Sequence, residues 1–199
     1  PFFHLRTQAD VNNFRDRFAA GCDLIPGVLD IGGAYAEDWD GELSDIYDLS
    51  PLFWIKSVDL LSIGFNENLS TLSGLHNLSG PVQGIELFLN PSLESISALA
   101  DITYVGENIW PDVYGFLALY LLPLKSFRGL DKIRISPRNP ASNGVNLQIT
   151  YLPLSDCQLD VIKYDLFNQT FVSDNLPGCL SHEDIKRWWG IPRKELSVS

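Results

Sequence analysis

The residues that could do chemistry in this chain are few and scattered. Its three histidines, His4, His76 and His182, fall in unrelated contexts with no His-x-x-x-His pair. The cysteines, Cys22, Cys157 and Cys179, form no Cys-x-x-Cys, and no Gly-x-Ser-x-Gly elbow or phosphate-cradling glycine loop occurs. With 25 Asp and Glu residues, some carboxylates must fall near one another, so an acid pair alone is no glycosidase signature. The densest acidic run is Glu37, Asp38, Asp40, Glu42, Asp45 and Asp48, with Trp39 and Tyr47 between them. It offers the oxygen ligands that a hard cation takes but lacks the spacing of a calcium loop, and reads as a solvated acidic loop. The expectation is a chain without enzymatic activity, metal or cofactor.

Cys157 and Cys179 stand 179 − 157 = 22 residues apart. A bridge closing a loop of that size contributes about 3 kcal/mol in the loop-entropy account. The bridge is the favoured reading, with Cys22 unpaired; three buried free thiols are the alternative. Sequons at Asn68, Asn77 and Asn168 are candidate glycosylation positions. The chain begins at Pro1 and contains no Met, which reads as a processed product.

Those groups must be carried on a scaffold, and composition bounds it. Hydrophobic residues make up 45% and charged residues 20%, an ordinary globular balance with enough length for a sizeable core. Fourteen Lys and Arg against 25 acids leave a net charge of −11, which argues against nucleic acid as a partner. The longest apolar stretch, 113–124, contains Gly and Pro and falls short of the roughly 20 residues that span a bilayer, so no membrane insertion is expected.

Self-similarity is the strongest signal. Leu61, Ile63, Phe65, Asn66, Leu69, Leu72, Leu75 and Leu78 are matched at a fixed offset by Ile85, Leu87, Leu89, Asn90, Leu93, Ile96, Leu99 and Ile102. Leu117, Leu119, Leu122, Leu124, Phe127, Leu130 and Ile133 repeat the pattern, with Leu122 in place of the asparagine and an insertion at about 107–114. Alternating residues point one face of a short strand inward, and the following Leu-x-x-Leu spacing keeps an apolar row on a turn-rich return. One such unit cannot bury its apolar faces alone, so units must stack into a parallel sheet. Asn66 and Asn90, at each strand exit, are placed to satisfy backbone groups of neighbouring units. The prediction is an α/β-type repeat solenoid of about five coils. Its single domain, 1–199, divides into an N-terminal cap helix (1–21), coils (22–153) and a C-terminal cap (154–199). Thr7 and Asp10 have capping-box spacing, and Phe14 and Phe18 lie one helical turn apart. Ser181, Ile185, Trp188 and Trp189 suggest the second helical lid.

Gly21, Cys22, Ile25, Gly27 and Ile31 resemble the opening of receptor L domains, the right-handed, β-helix-like leucine-rich modules of receptor ectodomains. Thr7-Gln8-Ala9, Val11 and Phe14, the Leu/Asn-spaced units, and an ending that holds Cys157 and Cys179 resemble secreted bacterial surface proteins of that type. The resemblance runs over about 7–189. It implies a secreted or cell-surface address and a role in recognition or adhesion, not an activity.

The outward positions of the expected sheet are Ser62 and Gly64, Glu86 and Phe88, Ala118 and Tyr120, then Asn146 and Gln148. Phe88 and Tyr120 are expected to stack, flanked by Glu86 and Gln148, a combination that suits a protein or glycan ligand. Trp110 and Tyr114 in the insertion are candidate contacts. Two alternatives stand beside the recognition module. One is a structural subunit of a head-to-tail filament. Its acidic end would hold Asp23 and Asp30 as well as the acidic loop, and its basic end Lys125, Arg128, Lys132, Arg134 and Arg138. The other is a β-helix polysaccharide-processing enzyme, which would need acids gathered with Lys or Arg on one sheet face.

Overall fold

Alternation of apolar residues makes the strands of this chain. The computed structural model describes residues 1–33, 43–106, 115–120, 122–124, 128–130, 132–135, 145–150 and 169–173. Seven strands form the main sheet: β1 (Phe2–Leu5), β2 (Leu24–Ile31), β3 (Ser57–Gly64), β5 (Gly84–Phe88), β7 (Gly115–Tyr120), β9 (Val145–Thr150) and β10 (Gln169–Ser173). They lie in that order and all pair in parallel. A second parallel sheet holds β4 (Gly80–Val82), β6 (Ile102–Val105) and β8 (Arg134–Ile135). Only the buried Gln83 separates β4 from β5, so the chain turns a corner there from one sheet to the other.

The core lies behind the main sheet. Leu61, Ile63, Ile85, Leu87, Leu117 and Leu119 are all at 0% exposure. Their register, Leu61↔Ile85↔Leu117 and Ile63↔Leu87↔Leu119, stacks them strand upon strand. The return segments tighten into 3₁₀ turns at Ser50–Leu52, Ser73–Leu75 and Ser97–Leu99, which bury Leu52, Leu75 and Leu99. Adjacent turns touch closely enough that a Cβ at Gly74 would lie 1.7 Å from the Leu49 carbonyl oxygen, so no side chain fits there.

Strand exits are held by the two asparagines. Asn66 Nδ2 donates to the carbonyls of Gly64 and Ile31 and to Asn90 Oδ1, at 2.9, 3.2 and 2.8 Å. Asn90 Nδ2 donates in the same way to Phe88 and Ile63 carbonyls at 2.9 and 3.0 Å. Ser44 Oγ donates to Asn66 Oδ1 at 2.6 Å. The residue before each asparagine, Phe65 and Leu89, is left-handed, with φ of 61° and 48°. That conformation is costly for residues with a Cβ, and the amide ladder is what holds it.

The expected α/β-type repeat solenoid, with about five coils and helical caps at both ends, is corrected by this architecture. The described chain is a mostly parallel-sheet domain with one helix, α1 (Gln8–Asn13), six residues long. Segment 1–21 is not a cap helix. It opens with β1, because Phe3 and Leu5 alternate with His4 and pair onto β2. Thr7 and Asp10 do form a reciprocal capping box at the start of α1. The helix then tightens into a 3₁₀ turn at Phe14–Arg17 and ends. Phe14 and Phe18 meet edge to face at 5.1 Å and pack against Trp54 and Phe3, so the spacing of one helical turn is met without a continuing helix. Ser181, Ile185, Trp188 and Trp189, assigned to the second lid, lie outside the described residues.

Candidate functional site

The outward face of the main sheet carries the side chains that are not used by the core. Register places Ser62 beside Glu86, Glu86 beside Ala118, and Ala118 beside Gln148. A second row runs Gly64, Phe88, Tyr120 and Thr150. Gln148 therefore neighbours Ala118, one row away from Tyr120.

Phe88 can lie over β3 only because Gly64 has no side chain: a Cβ there would come within 2.4 Å of the Phe88 ring. Phe116 leans in the same direction over Gly84, where a Cβ would be 3.0 Å from its ring. The Phe88 ring lies nearly perpendicular to Phe65 at 5.1 Å and 87°, and stacks on Tyr120 at 5.0 Å and 14°. Buried to 5% exposure, Phe88 serves as the backing on which the half-buried Tyr120 rests. Tyr120 Oη donates to Glu86 Oε1 at 3.0 Å. Burial, with the Glu86 charge beside it, pushes the Tyr120 pKa well above the ordinary tyrosine value, so the phenol stays protonated and donating. Gln148 is exposed.

A polar row that sequence reasoning missed continues across the sheet. His4, Asp30, Ser62 and Glu86 occupy matched positions on β1, β2, β3 and β5. His4 Nδ1 lies 2.8 Å from Asp30 Oδ2, and Asp30 is at 0% exposure. Ser62 is equally buried, and its Oγ has no hydrogen-bond partner among the described residues. These are the residue types of a hydrolase triad in the wrong order. The acid stands between the other two, which leaves His4 and Ser62 about two strand spacings, or roughly 9.6 Å, apart. His4 is thus not placed to take a proton from Ser62. The available signal was the apolar-polar alternation of Phe3, His4 and Leu5, too short to distinguish a strand from a cap.

The remaining candidates are dispersed. Trp110, Tyr114, Asn168, Cys157 and Cys179 lie outside the described residues, as do Glu37, Asp38, Asp40 and Glu42. Asn68 is exposed; Asn77 is exposed too but donates its amide to the Phe53 carbonyl at 2.6 Å. Asp45 accepts from the Gln8 backbone N–H at 2.7 Å, and Asp48 accepts from Ser50 N and Oγ at 2.8 and 2.7 Å. Cys22 is a free thiol. Among the described residues no group of three His, Cys, Asp or Glu is placed to hold a metal ion. No described helix is long and apolar enough to cross a membrane. Comparison with family models, curated proteins and solved structures finds no match for this chain.

Proposed function

We propose that this protein is a non-catalytic recognition or adhesion module, secreted or displayed at a cell surface, that takes its ligand on the outward face of the main sheet. The observation that carries this reading is the Tyr120 ring, backed by Phe88 and held by Glu86 while only partly buried. A rigid aromatic fixed before binding loses little entropy on contact, which is how aromatic anchors concentrate binding energy. The resemblance of the sequence to secreted bacterial surface proteins supports the extracellular address. Against the polysaccharide-processing alternative, none of the seven strands carries Lys or Arg to accompany Asp30 and Glu86. Against the filament, two charges of the proposed ends already have partners: Asp23 pairs with Lys56 at 2.8 Å, and Lys132 with Asp101 at 3.2 Å.

The test is surface plasmon resonance of the immobilised chain against two panels, cell-wall and matrix polysaccharides and purified extracellular proteins, with Tyr120→Ala alongside. Saturable binding by the native chain that the variant loses supports the reading. No binding to either panel, or binding that the folded variant keeps, overturns it.

A further inference from the structure

The tripeptide Asn-Leu-Ser occurs twice in this chain, at 68–70 and 77–79, so by sequence the two acceptor positions are alike. Their surroundings in the fold differ. In each, the middle leucine is buried, Leu69 at 0% and Leu78 at 1% exposure, while the Asn and Ser on either side are exposed. Asn68 stands in the turn that follows the buried Asn66 and makes no hydrogen bond among the described residues. Asn77 is engaged. Its Nδ2 donates to the Phe53 carbonyl at 2.6 Å, a contact that ties two successive return segments together. The backbone around it is engaged too: the Leu78 N–H donates to the Leu75 carbonyl and the Ser79 N–H to the Lys56 carbonyl, both at 3.0 Å.

We infer that Asn68 is an N-glycosylation site of the secreted chain and that Asn77, with the same tripeptide, is not. The inference rests on the secreted address in the recognition reading and not on its ligand face. In the transfer, Asn68 Nδ2 bonds to the anomeric carbon of an oligosaccharide carried on a polyprenyl pyrophosphate. The bond from that carbon to the pyrophosphate oxygen breaks, the lipid pyrophosphate leaves, and one amide proton is lost. A glycan is bulky and hydrated, so its nitrogen must face solvent in the folded protein. Asn68 meets that condition, and the buried Leu69 beside it holds the turn in place without drawing the amide inward. Transfer to an unfolded chain would treat the two tripeptides alike, and folding then separates them. A sugar on Asn68 projects from an exposed turn. A sugar on Asn77 Nδ2 crowds the Phe53 carbonyl and opposes the closure of the two return segments, so chains modified there fold less well.

The test is expression of the whole chain behind a secretion leader in a eukaryotic host, whose secretory route carries the transferase. Glycosidase release in heavy-oxygen water, followed by peptide mapping, reads each asparagine separately, in medium and in cell lysate alike. Asn68 is expected to be occupied in most secreted chains, at least about fivefold more often than Asn77. Asn68→Gln should remove that glycan and leave the unfolding midpoint of the unglycosylated protein unchanged. Asn77→Ala should leave the Asn68 glycan in place and lower that midpoint by about 1–3 °C, the size of one lost hydrogen bond in a chain of this length. Secreted chains unmodified at Asn68, or occupied as often at Asn77, overturn the inference. An Asn77→Ala protein as stable as the native one overturns the reason for the distinction. None of these outcomes bears on binding at Tyr120, so the recognition reading stands or falls by its own measurement.

Discussion

Tyr120 donates its hydroxyl to Glu86 across two adjacent parallel strands, 3.0 Å from oxygen to oxygen, while its ring lies flat on Phe88. An ionised phenol in that position would face a carboxylate inside a partly dry contact. Burial first, and Glu86 second, therefore hold the proton on. In the unfolded chain the same phenol ionises near pH 10. The raised folded-state pKa means that this contribution to stability is complete below about pH 10 and is lost as pH climbs through the folded value. Alkaline titration by phenolate absorbance should show one of the seven tyrosines ionising after the others. Tyr120→Phe should remove that late component and flatten the fall of the melting temperature above pH 10. Retention of the late component in Tyr120→Phe would assign it to another tyrosine.

The platform can be disturbed from beneath. Gly64→Ala places a methyl group 2.4 Å from the Phe88 ring, which must swing away and take the backing from Tyr120. The expected outcome is a loss of about 1–3 kcal/mol in unfolding free energy, by analogy with overpacking elsewhere. Altered near-ultraviolet circular dichroism and weakened ligand binding should accompany it, although residue 64 itself touches no ligand. Native aromatic signals in the variant would mean that the Phe88 ring does not depend on Gly64.

Asn90 supports a larger share of the scaffold than its size suggests. Its removal takes the side-chain donor from the Phe88 and Ile63 carbonyls and the acceptor from the Asn66 backbone N–H, while the Asn66 amide loses one of its three acceptors. Leaving buried polar groups unsatisfied costs about 1–3 kcal/mol each, with relaxation and water entry recovering part of it. Asn90→Ala should therefore cost about 3 kcal/mol or more in urea titration. A cost below about 1 kcal/mol would show that the ladder is replaceable by water.

Free-thiol counting on unfolded, unreduced protein should find one thiol per chain, contributed by Cys22. Three thiols would remove the Cys157–Cys179 bridge and weaken the case for an oxidising, extracellular setting.

Light scattering should report a monomer across about 0.05–0.5 M salt, a range that spans a Debye length of about 10 Å at 0.1 M. Lys56 and Asp101 already engage Asp23 and Lys132 within the chain, so these charges are less free to join copies end to end. Growth in mass at low salt, reversed at high salt, would instead favour the filament.

Much of the site was legible because parallel pairing converts a fixed residue offset into spatial adjacency. Asn66 and Asn90 are 24 residues apart and hydrogen-bonded. Phe88 and Tyr120 share the same place in successive strands and are therefore stacked. Alternation also settled which leucines face the core, since a side chain can change faces only by a one-residue slip. Period, inward face and aromatic pair are thus properties of the sequence alone.

Tertiary structure decided the rest. Whether four residues at Phe2–Leu5 form a strand depends on a partner 26 positions away, as His4 and Asp30 demonstrate, and no local propensity encodes that distance. The helix at Gln8–Asn13 passes into a 3₁₀ turn at Phe14–Arg17, and Phe14 and Phe18 there pack on Trp54, a residue distant in sequence. Gln148 faces Ala118 and not Tyr120 because the pairing of β7 with β9 follows the register of their hydrogen bonds, which the loops between repeats leave unspecified. Repeats determine which residues are equivalent; only the completed backbone pairing determines which of them meet.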